Sequence, residues 1–235
     1  KAFFMNTYLR RTWAEVNIDA VQHNFNIIKQ TVGNNAKIMC VIKADAYGHG
    51  AVFLAKLYEQ CGASYFAVSN IEEAIQLREN GITLPVLILG FTPACMAKTL
   101  ADNNISQAVF SEDYAQQLSD YAAKENVNVK IHIKLDTGMS RIGFMYQNIQ
   151  RDISSIEQIE RVCKLPNLIH EGIFTHFALS DEAEEGKTAT LRQFECFSDA
   201  VEKLNTKGIE FEITHCSNSG AIIDYKQTYF NCVRA

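Results

Sequence analysis

Lys43 ends an apolar run, KIMCVI over 37–42, and is followed at once by ADAYGHG, a turn that carries Tyr47. A lysine at a strand end is usually a solvated cap, because its stem packs while its ammonium reaches water. Polar groups recur, however, after other apolar runs. VKIHIKL brings Lys134, then Asp136 and Arg141 in KLDTGMSRIG; LIHEGIFT leads to His176; IEFEIT leads to His215, Asn218 and Ser219; YFNCV leads to Arg234. Taken singly, the histidines read as hydrogen-bonded core residues, Asp136 with Arg141 as a structural ion pair, and Arg234 as a surface charge. Together they place ionisable or hydrogen-bonding groups at the ends of five runs, which independent accidents would not favour.

The chemistry such a set could do starts from the lysine. An amine held at the mouth of a dry barrel loses solvation, its pKa falls, and the neutral form can condense with an aldehyde to a Schiff base. SNSG offers small hydroxyls and a glycine just before a short helix, AIIDYK, whose N-terminus favours an anion such as a phosphate. Lysine plus phosphate pocket suggests pyridoxal phosphate as cofactor. That group also needs a protein partner at its ring nitrogen, commonly Asp or Arg, and Arg234 is placed for it. No metal site is expected. A barrel hydrolase built on Lys134, Asp136, His176 and His215 would need an H-x-H pair on an early strand, which is missing.

Residues this far apart in sequence need a scaffold that gathers them. Strand-like runs at 37–42, 65–69, 86–89, 106–110, 129–135, 168–175, 209–214 and 229–233 alternate with amphipathic stretches such as IEEAIQLREN and TLRQFECFSDAVEKLNTKG, the latter closed by Gly208. Eight runs with intervening helices predict an α/β fold, a (β/α)8 TIM-type barrel with its chemistry at the C-terminal strand ends. A doubly wound open sheet is the competing topology. The last helix would lie beyond Ala235, and the chain stops within an apparent strand, so a longer parent protein is expected. The leader TWAEVNID reads as a strand ahead of a helix over 20–32. The division expected is therefore 1–19, an N-terminal strand segment that pairs with a further domain, and 20–235, the barrel.

Composition narrows the functions. At 235 residues and 47% hydrophobic content the chain can bury a substantial core. Its 22 Lys+Arg against 27 Asp+Glu form no basic stripe, so nucleic acid is not an expected partner. Seven cysteines without a C-x-x-C pair imply a reducing compartment, the cytoplasm, and no run is long enough to span a bilayer.

VIKADAYGHG resembles the cofactor-lysine signature of the alanine racemase family, and the similarity continues in order through TWAEVNIDAVQHN, KLDTGMSRIGF, GIFTHFA, HCSNSGA and NCVRA. The resemblance implies a pyridoxal-phosphate isomerase that inverts L-alanine to D-alanine for the cell wall, working as a homodimer. It implies that Lys43 holds the cofactor and acts as one of two acid/base groups, with Arg141 near the ring's phenolic oxygen. Tyr47 and Ser219 would hold the phosphate, Arg234 would meet the pyridine nitrogen, His176 and His215 would support it, and Asn218 belongs to the same cofactor-binding set. Lys134 matches a lysine that is carbamylated in some members. The second base would be a tyrosine from a C-terminal β domain of a partner subunit, a domain absent from this sequence. Alternatives are a serine racemase of the vancomycin-resistance type, whose parent would be membrane-anchored, and a single-domain pyridoxal-phosphate carrier without activity. A decarboxylase of the same barrel type would share the lysine but release carbon dioxide. The substrate in the leading reading is a small amino acid, with no membrane contact by this domain.

Overall fold

The computed structural model describes residues 12–235. In chain order its elements are α1 (Ile18–Val32), β1 (Lys37–Val41), α2 (Lys43–Gly48), α3 (Ala51–Cys61), β2 (Tyr65–Val68), α4 (Ile71–Glu79), β3 (Val86–Ile88), α5 (Ala97–Asp102), β4 (Ile105–Val109), α6 (Glu112–Lys124), β5 (Val129–Asp136), β6 (Phe144–Met145), α7 (Ile153–Cys163), β7 (Leu168–Phe174), α8 (Ala183–Thr206), β8 (Ile213–His215), α9 (Ser219–Asp224) and β9 (Cys232–Arg234). The parallel strands run β4-β3-β2-β1-β9-β8-β7-β5, and β5 pairs back to β4. That pairing closes an eight-stranded barrel and removes both sheet edges, which excludes the open doubly wound sheet. β6 only extends the end of β5, through Leu135 with Phe144 and Asp136 with Met145. No helix follows β9 in this sequence.

Strand alternation sorts the core into two. Ile38, Cys40, Phe66, Val68, Val86 and Ile88 face the helices, while Met39, Tyr65, Ala67, Leu87, Ile213 and Cys232 fill the barrel. The helices present matching stripes: Tyr114, Ala115, Leu118 and Ala122 are the buried face of α6. Short polar side chains start several of them. Asn17 accepts from the Ala20 N–H at 3.0 Å, Asn70 from Glu73 at 2.9 Å and Ser111 from Tyr114 at 3.2 Å. Among the described residues no helix is long and apolar enough to cross a membrane.

Several expected boundaries move. Ile18 and Asp19 belong to α1, residues 12–17 form no strand with the described residues, and residues 1–11 of the leader lie outside them. α8 begins at Ala183, ahead of the predicted start at Thr190, where Glu184 and Glu185 suit the positive end of the helix dipole. β8 and β9 are shorter than their apolar runs because the Asn231 side chain intervenes. It accepts from the Thr214 N–H and donates to the Glu212 carbonyl, each at 2.8 Å, and so takes groups that a longer ladder would have used.

The barrel interior is unusually polar. On β5, Lys130, His132 and Lys134 recur every second residue. His132 Nε2 lies 3.1 Å from Glu171 of β7, whose carboxylate also accepts from Tyr65 and Ser106, each at 2.6 Å. Gly172 makes room for this: a Cβ there would sit 2.4 Å from His132 Nδ1. Gly172→Ala is therefore expected to lower stability by about 1–3 kcal/mol, as overpacked cores do. Urea unfolding will measure it, and an unchanged midpoint would mean that the histidine ring has room to move.

Candidate active site

Lys43 stands two residues beyond the end of β1, but the turn it opens is not a right-handed helix. Ala44, Asp45, Ala46 and Tyr47 have φ of 51°, 53°, 51° and 55°. L-residues adopt this left-handed region at roughly 1–2 kcal/mol each, so the segment needs external support. Glu73 of α4 supplies it: one carboxylate oxygen accepts from the Ala44 N–H at 2.8 Å, the other from the Ser69 N–H at 2.7 Å and hydroxyl at 2.8 Å. Asp45 accepts from the Ala51 N–H at 2.7 Å, tying the turn to α3. Glu73→Ala is expected to speed hydrogen exchange at the Ala44 amide and to cost about 1–3 kcal/mol, the penalty of unpaired polar groups. Protection at Ala44 that survives the substitution would contradict it.

At the C-terminal ends of the strands lies a cavity of about 680 Å³. Lys43, Tyr47, Lys134, Arg141, His176, Asn218, Ser219 and Arg234 all line it, so eight predicted residues from distant parts of the chain meet there. Four of these are Lys or Arg, and no Asp or Glu is among the described residues that line the cavity. In a chain of net charge −5, such a patch is suited to an anionic ligand.

His215 is the exception to this gathering. It does not line the cavity but is fully buried behind Arg234, whose Nη1 donates to His215 Nδ1 at 2.7 Å. Burial, then the neighbouring Arg234 charge, hold His215 well below the usual imidazole range. His176, at the cavity wall, is lowered to about 3 by burial and then by Arg234, Lys134, Arg141 and Lys43. Both rings are therefore neutral at physiological pH.

Arg234 spends its terminal donors on the protein. Nη1 also approaches the His215 carbonyl at 3.2 Å, and Nη2 donates to the carbonyls of Thr175 at 2.8 Å and Cys216 at 3.1 Å, with His176 Nδ1 at 3.4 Å. Its Nε–H has no acceptor among the described residues. A fixed guanidinium with one donor to spare fits an aromatic ring nitrogen.

Lys43 is half-buried with its amine 5.9 Å from the Tyr47 ring centroid. The pKa of Lys134 drops to about 7 through burial first and then Arg234, against a raising effect of Asp136. The Lys134 ammonium donates to the Leu135 carbonyl at 2.6 Å. Arg141 makes no ion pair with Asp136, because one Asp136 oxygen accepts from the Gly138 N–H at 3.0 Å and the Ser140 N–H at 2.9 Å, shaping the loop that presents Arg141. Asn218 caps α9, accepting from the Ala221 N–H at 3.1 Å and the Ser180 hydroxyl at 2.6 Å. That leaves Ser219, exposed at the cavity rim, as the available hydroxyl of the pair. Sequence reasoning missed Glu73, His132 and Glu171. The period-two spacing of Lys130, His132 and Lys134 was the available signal for a polar interior.

The family profile described as "Alanine racemase, N-terminal domain" matches residues 16–235. The chain is 42% identical over 226 residues to "Alanine racemase 2" of Caldanaerobacter subterraneus subsp. tengcongensis, covering 96% of this chain and 56% of that protein. It is similar, at TM-score 0.89 and 41% identity, to a solved alanine racemase of Clostridium difficile 630 in complex with cycloserine, covering 96% of this chain and 60% of that one. A histidine racemase from Leuconostoc mesenteroides subsp. sake also matches, with TM-score 0.80 and 27% identity over 92% of this chain and 56% of that one. The chain thus spans little more than half the length of these relatives.

Proposed function

This chain belongs to the alanine racemase family, and on that footing we propose that it is the coenzyme-binding barrel of a pyridoxal-phosphate-dependent amino-acid racemase acting on alanine. The observation that carries the reading is the cavity itself: an amine, Lys43, facing a space lined by Lys134, Arg141 and Arg234 and, among the described residues, by no Asp or Glu side chain. Pyridoxal phosphate, when bound, supplies an aldehyde that condenses with amines and a conjugated ring that stabilises negative charge on the substrate Cα. The residues present fit it. Lys43 would hold it, Arg234 would donate through Nε to the ring nitrogen, Arg141 would approach the phenolic oxygen, and Tyr47 with Ser219 would bind the phosphate. Asn218 would set Ser219 in place.

Lys43 takes or returns the substrate Cα proton on one face. Arg234 does not readily surrender its proton, so the ring nitrogen meets a donor that stays a cation, which restrains side reactions of the substrate. We assign the opposite-face group to a tyrosine of a second subunit, so that turnover requires a homodimer. Seven free cysteines support a reducing, cytoplasmic setting.

For Lys134 we propose carbamylation. Its neutral amine adds to carbon dioxide, an N–C bond forms and one proton leaves, and the resulting anion offsets the Arg141 charge nearby. ¹³C NMR in labelled bicarbonate is expected to give one carbamate signal that Lys134→Met removes; a spectrum without it would sink the assignment.

The activity is tested by incubating the full-length protein with L-alanine, and separately with L-serine, in heavy water. Deuterium at Cα with inversion, faster for alanine, is the expected result. Faster inversion of serine would support the serine reading, release of carbon dioxide a decarboxylase, and unchanged substrate a carrier.

A further inference from the structure

Beneath the cavity, the buried polar groups form one continuous line. Arg234 Nη1 is 2.7 Å from His215 Nδ1, His215 Nε2 is 3.0 Å from His132 Nδ1, and His132 Nε2 is 3.1 Å from Glu171 Oε2. Glu171 does not line the cavity, and it precedes His176 by five residues, at most about 16 Å at about 3.3 Å per residue. Its other oxygen meets Lys130 Nζ at 3.1 Å.

The donors and acceptors on this line can be arranged in one way only. A guanidinium can only donate, so His215 Nδ1 must accept. A neutral His215 then carries its proton on Nε2 and donates to His132 Nδ1, which puts the proton of His132 on Nε2, facing a carboxylate that can only accept. A second proton on either ring would set two donors against each other. The low pKa values of both rings, caused chiefly by burial, agree with neutral imidazoles.

We propose that Glu171 is a positioning residue for Arg234: by terminating this line it fixes one tautomer at His132 and at His215, and so holds Nη1 of Arg234 on His215 and leaves Nε–H for the coenzyme ring. The part concerning the ring rests on the function proposed above; the tautomers do not. Without the carboxylate, His132 Nε2–H faces no charged acceptor in a dry interior. The ring escapes by moving its proton to Nδ1, which drives the proton of His215 to Nδ1, against the guanidinium.

¹⁵N NMR of the histidine rings tests the first part in the protein without coenzyme. Wild type is expected to show His132 and His215 neutral and protonated on Nε2. Glu171→Leu is expected to bring the Nδ1–H form into both rings, whereas Glu171→Gln, whose amide oxygen can still accept, keeps the wild-type tautomers. The second part is read from the visible spectrum and affinity of added pyridoxal phosphate. Glu171→Leu shifts the absorption maximum and weakens binding by roughly tenfold, the scale of one lost buried hydrogen bond to a charged group, while Glu171→Gln retains the wild-type maximum. An Nδ1–H or doubly protonated ring in wild type overturns the proposal, and that measurement needs no variant to fold. So does a Glu171→Leu protein that is less stable yet keeps both tautomers and the spectrum, since that is a structural role alone. A wild type that binds no pyridoxal phosphate but shows the expected tautomers overturns the functional reading and the ring-directed role with it.

Discussion

Lys43→Ala is expected to abolish exchange of the substrate Cα hydrogen in the full-length enzyme, a loss of roughly 10²–10⁴-fold or more, because the same amine anchors the coenzyme and carries the proton. The surrounding fold should stay intact. Lys43 is half-buried and its side chain makes no ion pair among the described residues, so little of the barrel depends on it. The left-handed turn that follows is held through backbone amides by Glu73 and Asp45, which the substitution leaves in place. Lys43→Arg is expected not to rescue, since a guanidinium stays protonated and cannot condense with an aldehyde. Full exchange activity in Lys43→Ala would move the chemistry to another residue.

Lys134→Met is expected to stabilise the protein in acid and to lose that advantage in base. The folded pKa is about 7 against an ordinary value of 10.5. Below pH 7 both folded and unfolded chains hold the proton, and the folded one bears the whole cost of a buried ammonium. Between about 7 and 10.5 the unfolded chain binds a proton that the folded chain lacks, so wild-type stability rises with pH through this window. A shift of this size corresponds to a few kcal/mol. Urea midpoints at pH 6 and pH 10, in buffer free of carbon dioxide, should therefore differ between variant and wild type strongly at the first and weakly at the second. An advantage that does not change with pH would mean that Lys134 is not titrating in the folded protein.

Much of this site was legible because barrel geometry converts strand ends into neighbours. Lys43, Lys134, His176 and Arg234 were each recognisable as a polar group closing an apolar run, and all four line the cavity. His215 closed a run too, yet it lies beneath the cavity, level with Cys232 and behind Arg234, because depth along the barrel depends on how the strands are staggered, which an apolar run does not reveal. The left-handed turn was hidden for a different reason: Ala44, Asp45, Ala46 and Tyr47 have no intrinsic preference for positive φ, and the Glu73 carboxylate that supports the turn comes from a residue far along the chain. Glu73 sits in a helix reading IEEAIQLRE, where a carboxylate in the first turn is ordinary, so nothing local marked it as a clamp. The ends of β8 and β9 depended on the Asn231 side chain, a contact between segments far apart in sequence. Glu171 lay inside LIHEGIF, where the pairing steps from Ile131 with His170 to His132 with Gly172, so that Glu171 is the extra, unpaired residue of a bulge on β7 and its carboxylate enters the barrel.

Borohydride reduction of the protein with added pyridoxal phosphate, followed by peptide mapping, tests the central claim most directly. The account predicts a single reduced adduct, on Lys43. An adduct on Lys134 or on any other lysine, or none on Lys43 under conditions where the coenzyme absorbs in the visible, would contradict it.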